Sequence, residues 1–122
     1  MIVFDTGALV ALERRKQRAV QIWAMASRDE REIFVPGAVI AEWWRERTDV
    51  RERILAGIII EPVGGRLGRA AGEALAATPG ATVVDAIVMA LAARLGATVF
   101  TSDVDDLESL RSFFPGVRVL SV

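Results

Sequence analysis

Five carboxylates sit where this chain changes character. Asp5 ends the apolar run "MIVF", Glu42 lies in "VPGAVIAEWW", Asp85 opens "DAIVMALAARL", and Asp103 and Asp106 follow the strand-like "VFT" in "SDVDDL". The chain has no histidine, cysteine or tyrosine. That excludes serine–histidine and cysteine–histidine catalysis, thiolate metal sites and disulfides. Polar chemistry has to come from carboxylates, hydroxyls, Lys16 and arginines.

Helix capping accounts for each acid singly. Asp5 fits the cap of a helix at 8–14, Thr82 with Asp85 fits a T-x-x-D pattern, and Asp103 with Asp106 fits a D-x-x-D variant. Glu42, beside Ile40, Ala41, Trp43 and Trp44, fits the solvent stripe of an amphipathic helix. Capping does not explain acids arriving from separate parts of the chain at one place. Carboxylates packed together repel, and one must hold a proton unless a cation intervenes. Oxygen-only ligands suit Mg²⁺, with Mn²⁺ able to substitute, and such an ion lowers the pKa of a bound water without a histidine. The substrate that fits this chemistry is a phosphodiester. Thr6, Thr101 and Ser102 stand where hydroxyls can orient an acid or a water, or cap locally.

The elements that must carry these residues are β-rich runs separated by helical segments. The runs are 2–4, 32–35, 58–63, 97–101 and 117–122; the helical segments are 8–28, readable as two helices, then 37–56, 65–77 and 83–95. Strands alternating with helices predict a three-layer α/β/α domain with a mostly parallel sheet of about five strands. In such a sheet Asp5 and Asp103 share the carboxyl edge, where open α/β folds bind ligands. Gly96 marks a left-handed helix end, and "VVDAIVMALAARL" is apolar nearly all round, which predicts a deeply buried helix.

Composition sets the remaining bounds. At 122 residues and 52% hydrophobic, the chain predicts one domain over 1–122 with its own core. Setting aside the five acids leaves 11 against 15 bases, a balance of +4 that suits an anionic substrate. Arg14, Arg15, Lys16 and Arg18 form one basic cluster; Arg45, Arg47, Arg51 and Arg53 form another. Either fits phosphate binding or solvated faces paired with Glu13, Glu46, Asp49 and Glu52. The N-terminus is wrong for a signal peptide, and Asp85 and Arg94 interrupt the longest apolar stretch short of the roughly 18 residues of a membrane span. A cytoplasmic protein with no membrane association is expected.

In this order and spacing, "MIVFDTGALVAL", "VPGAVIAEWW" and "TVVDAIVMALAARLGATVFTSDVDDL" resemble the PIN-domain ribonucleases, specifically the VapC-type toxins of bacterial toxin–antitoxin pairs. The resemblance spans nearly the whole chain. It implies an acidic quartet of Asp5, Glu42, Asp85 and Asp103 around one or two Mg²⁺ ions, with Asp5 and Asp85 the foremost direct ligands, Asp103 a third and Asp106 auxiliary. It also implies a homodimer, a VapB-type antitoxin whose C-terminal segment blocks the acids, and RNA cleavage, commonly of tRNA or ribosomal RNA. The shortness of the chain and of the Glu42–Asp85 interval implies a reduced substrate loop.

Two other classes compete. Phosphoryl-aspartate folds also use acids and Mg²⁺ at strand ends, but a dehalogenase-type start needs a second aspartate where Gly7 stands, and a receiver needs paired acids at the first strand and a late lysine. A non-catalytic module binding protein or RNA would use its acids as caps and its tryptophans and Phe113-Phe114 as core or interface.

Overall fold

A computed structural model describes all residues 1–122. Its elements are β1 (Ile2–Phe4), α1 (Thr6–Glu13), α2 (Gln17–Arg28), β2 (Ile33–Pro36), α3 (Gly37–Trp43), α4 (Asp49–Ala56), β3 (Ile59–Glu61), α5 (Gly65–Ala77), α6 (Val83–Leu95), β4 (Thr98–Thr101), α7 (Val104–Glu108) and β5 (Arg118–Ser121), with a 3-10 turn at Ser109–Ser112. The five strands form one sheet in the order β3-β2-β1-β4-β5, and all four pairings are parallel. The three-layer α/β/α arrangement expected from the sequence is the one observed.

The order of the strands fixes where a crevice can open. From β1 the chain steps to β2 and then β3 on one side, and it crosses back to β4 and β5 on the other. Right-handed crossovers then put α1 to α4 on one face and α5, α6 and α7 on the opposite face. The reversal falls between β1 and β4, whose registers pair Ile2 with Thr98, Val3 with Val99 and Phe4 with Phe100. In open α/β sheets such a switch point leaves a crevice beyond the carboxyl ends of the two strands. The residues that emerge there are Asp5 and Ser102-Asp103.

Burial follows the sheet's two-sided cover. Ile2, Val3 and Phe4 are fully buried, as an inner parallel strand requires. Alpha-6 packs on β1, β2 and β4 and buries every residue from Ala86 to Ala92, so its nearly all-round apolarity is that of a central helix. It ends at Gly96 in the left-handed conformation (φ 65°), the position where a Cβ is disfavoured. No helix is long and apolar enough to cross a membrane.

Two boundaries differ from expectation. The segment 37–56 is not one helix: it breaks at Trp44, whose φ/ψ of −82°/68° is not helical, and restarts at Asp49 with the Thr48 hydroxyl accepting from Arg51 N–H. The break lets the Trp43 indole stay in the core while Arg51 of α4 turns back to α1. Residues 104–112 form α7 and the 3-10 turn; the Asp103–Asp106 pattern marks the start of α7, but the Asp103 side chain makes no capping hydrogen bond. The short run there has few apolar positions, of which Leu107 and Leu110 are fully buried anchors.

Candidate metal centre

Asp5 does two things at once. Its backbone is extended (φ −90°, ψ −176°) as the chain leaves β1, and its carboxylate caps α1 by accepting from Ala8 N–H at 2.8 Å. The capping expectation is therefore met. Yet the side chain is only 8% exposed, and burial is the main reason its pKa lies above the usual carboxylate range, with the charge of Asp85 adding to it. The Thr101 hydroxyl and the Ala8 N–H favour the ionised form without cancelling that cost. A cap alone needs no burial of a charge.

Asp85 is the hub of the acids. It sits in the first turn of α6, where the Thr82 hydroxyl accepts from its N–H at 3.2 Å. Desolvation chiefly raises its pKa, the Thr82 contact opposes this, and Asp106, Glu42 and Asp103 each push it further up. Glu42 comes from the last turn of α3, which packs on α1, and it accepts from the Thr6 hydroxyl at 2.5 Å. Asp103 follows β4; its side chain caps nothing, and its N–H donates to Thr101 Oγ1 at 3.0 Å. Asp103 in turn, within hydrogen-bond reach of Asp106 and repelling it, raises the Asp106 pKa.

The structure thus brings Asp5, Glu42, Asp85, Asp103 and Asp106 into one electrostatic neighbourhood from four separate segments. None of the five takes part in an ion pair with lysine or arginine. As the side chains stand, no three acids converge tightly enough to enclose an ion between them. The donor chemistry fits Mg²⁺ or Mn²⁺ nonetheless, because such an ion needs only one or two direct carboxylates and keeps several waters. A cation in the crevice would offset the desolvation and like-charge repulsion that raise the pKa values of Asp5 and Asp85.

The auxiliary residues have distinct places. Thr6 holds Glu42, Thr101 stands against Asp5 and receives Asp103 N–H, and Ser102 packs against α1 at Gly7. Gly7 had no assigned part in the site. A Cβ there would lie 2.1 Å from Ser102 Oγ, so its absence is what lets the β4 exit close on α1. The signal was the "DTG" following the first strand.

The basic residues divide. Arg47 pairs with Asp49 and Glu52 (3.9 and 3.3 Å), and Arg51 forks onto Glu13 (3.1 and 3.2 Å), which also accepts from the Trp43 indole at 2.9 Å. Both thus pair with acids, Arg47 on a solvated face and Arg51 in a part-buried contact. Arg45 and Arg53 have no ion-pair partner, and Arg53 lines a groove of about 430 Å³ with Arg15, Leu12, Val20 and Trp23. Arg14 and Lys16 instead line a smaller cavity with Gly7 and Ser102.

Comparison with known proteins follows the same lines. The family model described as the PIN domain matches residues 2–111. No curated protein gives a significant sequence match. Among solved structures, VapBC2 from Rickettsia felis bound to a promoter DNA fragment contains a chain similar to this one at TM-score 0.81 and 13% identity, covering 100% of this chain and 99% of that one. Mycobacterium tuberculosis VapC20, a sarcin-ricin loop cleaving toxin, aligns at TM-score 0.72 and 21% identity over 89% and 95%. DNA-bound VapBC from Salmonella typhimurium aligns at TM-score 0.71 and 17% identity over 98% and 96%. At these identities the likeness is one of fold.

Proposed function

Because the chain belongs to the PIN domain family, we propose that it is a divalent-metal-dependent endoribonuclease acting as the VapC-type toxin of a toxin–antitoxin pair. The observation that carries the reading is the gathering of Asp5, Glu42, Asp85 and Asp103 at the β1/β4 switch point with no cationic side chain paired to them. Burial chiefly raises the pKa of both Asp5 and Asp85, and the charges of neighbouring acids add to it.

Asp5 and Asp85 are the residues assigned to hold Mg²⁺ or Mn²⁺, with Asp103 beside them. A bound ion there supplies positive charge for phosphoryl oxygens and a water of lowered pKa. The chain's own part is to fix those acids. The Ala8 N–H and Thr101 hydroxyl fix Asp5, the Thr82 cap fixes the first turn that presents Asp85, and Thr6 holds Glu42 toward the same crevice. The raised pKa of Asp85, due first to desolvation and then to the neighbouring acids, marks a carboxylate whose charge a bound cation would offset.

RNA is the substrate class this reading assigns, and the sarcin-ricin loop cleavage of the M. tuberculosis fold neighbour supports it. A VapB-type antitoxin is the assigned partner, supported by fold neighbours that were solved as VapBC bound to DNA. A homodimer and a cytoplasmic location complete the assignment.

The test is cleavage of total RNA by the purified protein with Mn²⁺ or Mg²⁺, with EDTA, and by Asp5→Asn. Cleavage that requires the ion and is lost in Asp5→Asn supports the reading. Undiminished cleavage in EDTA or by the variant sinks it, and no ion binding at all favours a non-catalytic module.

A further inference from the structure

Beside the acids lies a cavity of opposite character. Its volume is about 180 Å³, and Gly7, Val10, Ala11, Arg14, Lys16 and Ser102 line it. It has two cations and a hydroxyl on its walls and no carboxylate. Two of its residues are continuous with the acidic site, since Gly7 follows Asp5 by two positions and Ser102 lies between Thr101 and Asp103.

The local fold builds this cavity. At the end of α1 the N–H of Arg15 donates to Leu12 O (3.0 Å) and that of Lys16 to Ala11 O (2.9 Å), a Schellman closure with Arg15 left-handed at φ 57°. A left-handed conformation is unfavourable for a residue with a Cβ, so the turn is held by its surroundings. Its effect is to separate neighbours in sequence: Arg14 and Lys16 go to the cavity beside Ser102, while Arg15 goes to the larger groove and Arg18 donates to Ser121 O at 3.1 Å.

The two cations there are also uncommitted. Neither Arg14 nor Lys16 makes an ion pair. The adjacent Glu13 is bound by the Arg51 guanidinium and the Trp43 indole, and the Arg14 charge acts on it without a direct ion pair. Across the cavity, the missing Cβ of Gly7 leaves room for the Ser102 hydroxyl against α1. An unpaired arginine, an unpaired lysine and a hydroxyl around a small open cavity next to a metal centre make a receptor for one phosphate group.

We infer that this cavity, formed by Arg14, Lys16, Ser102 and Gly7, is a phosphate subsite that holds the RNA backbone one step from the phosphodiester being cut. The inference rests on the nuclease reading. It sets the direction of the strand, which runs from the acids across the β4 exit and over the end of α1. The subsite contributes position, because phosphate contacts fix register and carry no base information.

The test measures binding separately from cleavage. A fluorescent single-stranded RNA oligonucleotide is titrated in EDTA over a salt series with the wild type, with Arg14→Ala/Lys16→Ala, and with Arg69→Ala/Arg118→Ala. The last pair removes the same charge from exposed, unpaired arginines of α5 and β5. The expected result is roughly tenfold weaker binding for the first pair, with a salt slope shallower by about 0.7, the value for one single-strand phosphate contact. In Mn²⁺ the same pair raises KM by a similar factor and leaves kcat in place. If the first pair binds with wild-type affinity and slope, or the control pair loses as much, the subsite is overturned, whatever the wild type cleaves. If the first pair shows the expected loss while the wild type cleaves nothing, the nuclease reading fails and the phosphate site stands.

Discussion

Replacing Asp5 with asparagine keeps the shape and the cap of α1 but removes a charge from a side chain that is 8% exposed. Asparagine caps about as well as aspartate, whereas alanine at an N-cap costs about 1 kcal/mol. For 122 residues the unfolding entropy near the midpoint is roughly 0.26 kcal/mol/K, so that loss is about 4 °C in Tm. In chelator, Asp5→Asn is expected to melt at or above the wild type, and Asp5→Ala about 4 °C below Asp5→Asn. The pH dependence carries the same sign. The folded pKa of Asp5 lies above its ordinary value, mainly through burial, so its contribution is full below the unfolded pKa of about 3.9 and is lost as pH rises through the folded value. The advantage of Asp5→Asn over the wild type should therefore grow from about pH 4 towards neutrality. Saturating Mn²⁺, at 100 times its Kd, should then add about 2.7 kcal/mol, or about 10 °C, to the wild type and much less to either variant. The assay is thermal unfolding by circular dichroism in EDTA and in Mn²⁺ across pH 4 to 7. If Asp5→Asn melts as low as Asp5→Ala in EDTA, or gains as much from Mn²⁺ as the wild type, the account of Asp5 as a buried charge waiting for a cation is refuted.

Other perturbations test the supports around the site. Gly7→Ala puts a Cβ 3.2 Å from Ser102 Cβ and closer still to its hydroxyl; the overpacking exceeds the helical preference of alanine, for a net loss of about 1 kcal/mol, and Ser102→Gly in the same chain should restore most of it on denaturant titration. Gly57→Ala meets two atoms of the rigid Trp23 ring at 2.6 Å and should cost about 1–3 kcal/mol, with a red shift in tryptophan emission as the ring is displaced; an unchanged midpoint would contradict the packing. For Glu13, partial burial opposes ionisation, but Arg51 and the Trp43 indole outweigh it and hold the pKa low. Its stabilisation is thus full above the unfolded pKa of about 4.3 and lost as pH falls through the lower folded value, so Glu13→Gln should cost about 1 kcal/mol at pH 7, and that cost should shrink steadily as acid titration proceeds below about pH 4.3.

Particular residues explain how much of this was legible in the sequence. The runs at 65–77 and 83–95 carry their own punctuation, Gly64-Gly65 before one and Thr82 and Gly96 around the other, and the observed α5 and α6 have those bounds. The break between α3 and α4 has no glycine or proline to announce it. It is set by tertiary demands, with Trp43 drawn into the core and Arg51 drawn back to Glu13. The acids after β1 and β4 could be placed at the carboxyl edge from the alternation of strands and helices alone. That they leave adjacent strands depends on β1 and β4 being neighbours, and strand order is a long-range property that no local pattern encodes. The part of Gly7 was hidden for the same reason, since its constraint is Ser102, nearly the whole chain away.

The most direct measurement is the position of the ion itself. A crystal of the protein soaked in Mn²⁺ and measured for anomalous scattering should show a peak touching carboxylate oxygens of Asp5 and Asp85 with Asp103 alongside, and the peak should be absent from Asp5→Asn. No peak in that crevice, in a preparation that cleaves RNA only when Mn²⁺ is present, would contradict the assignment of the acids as the metal centre.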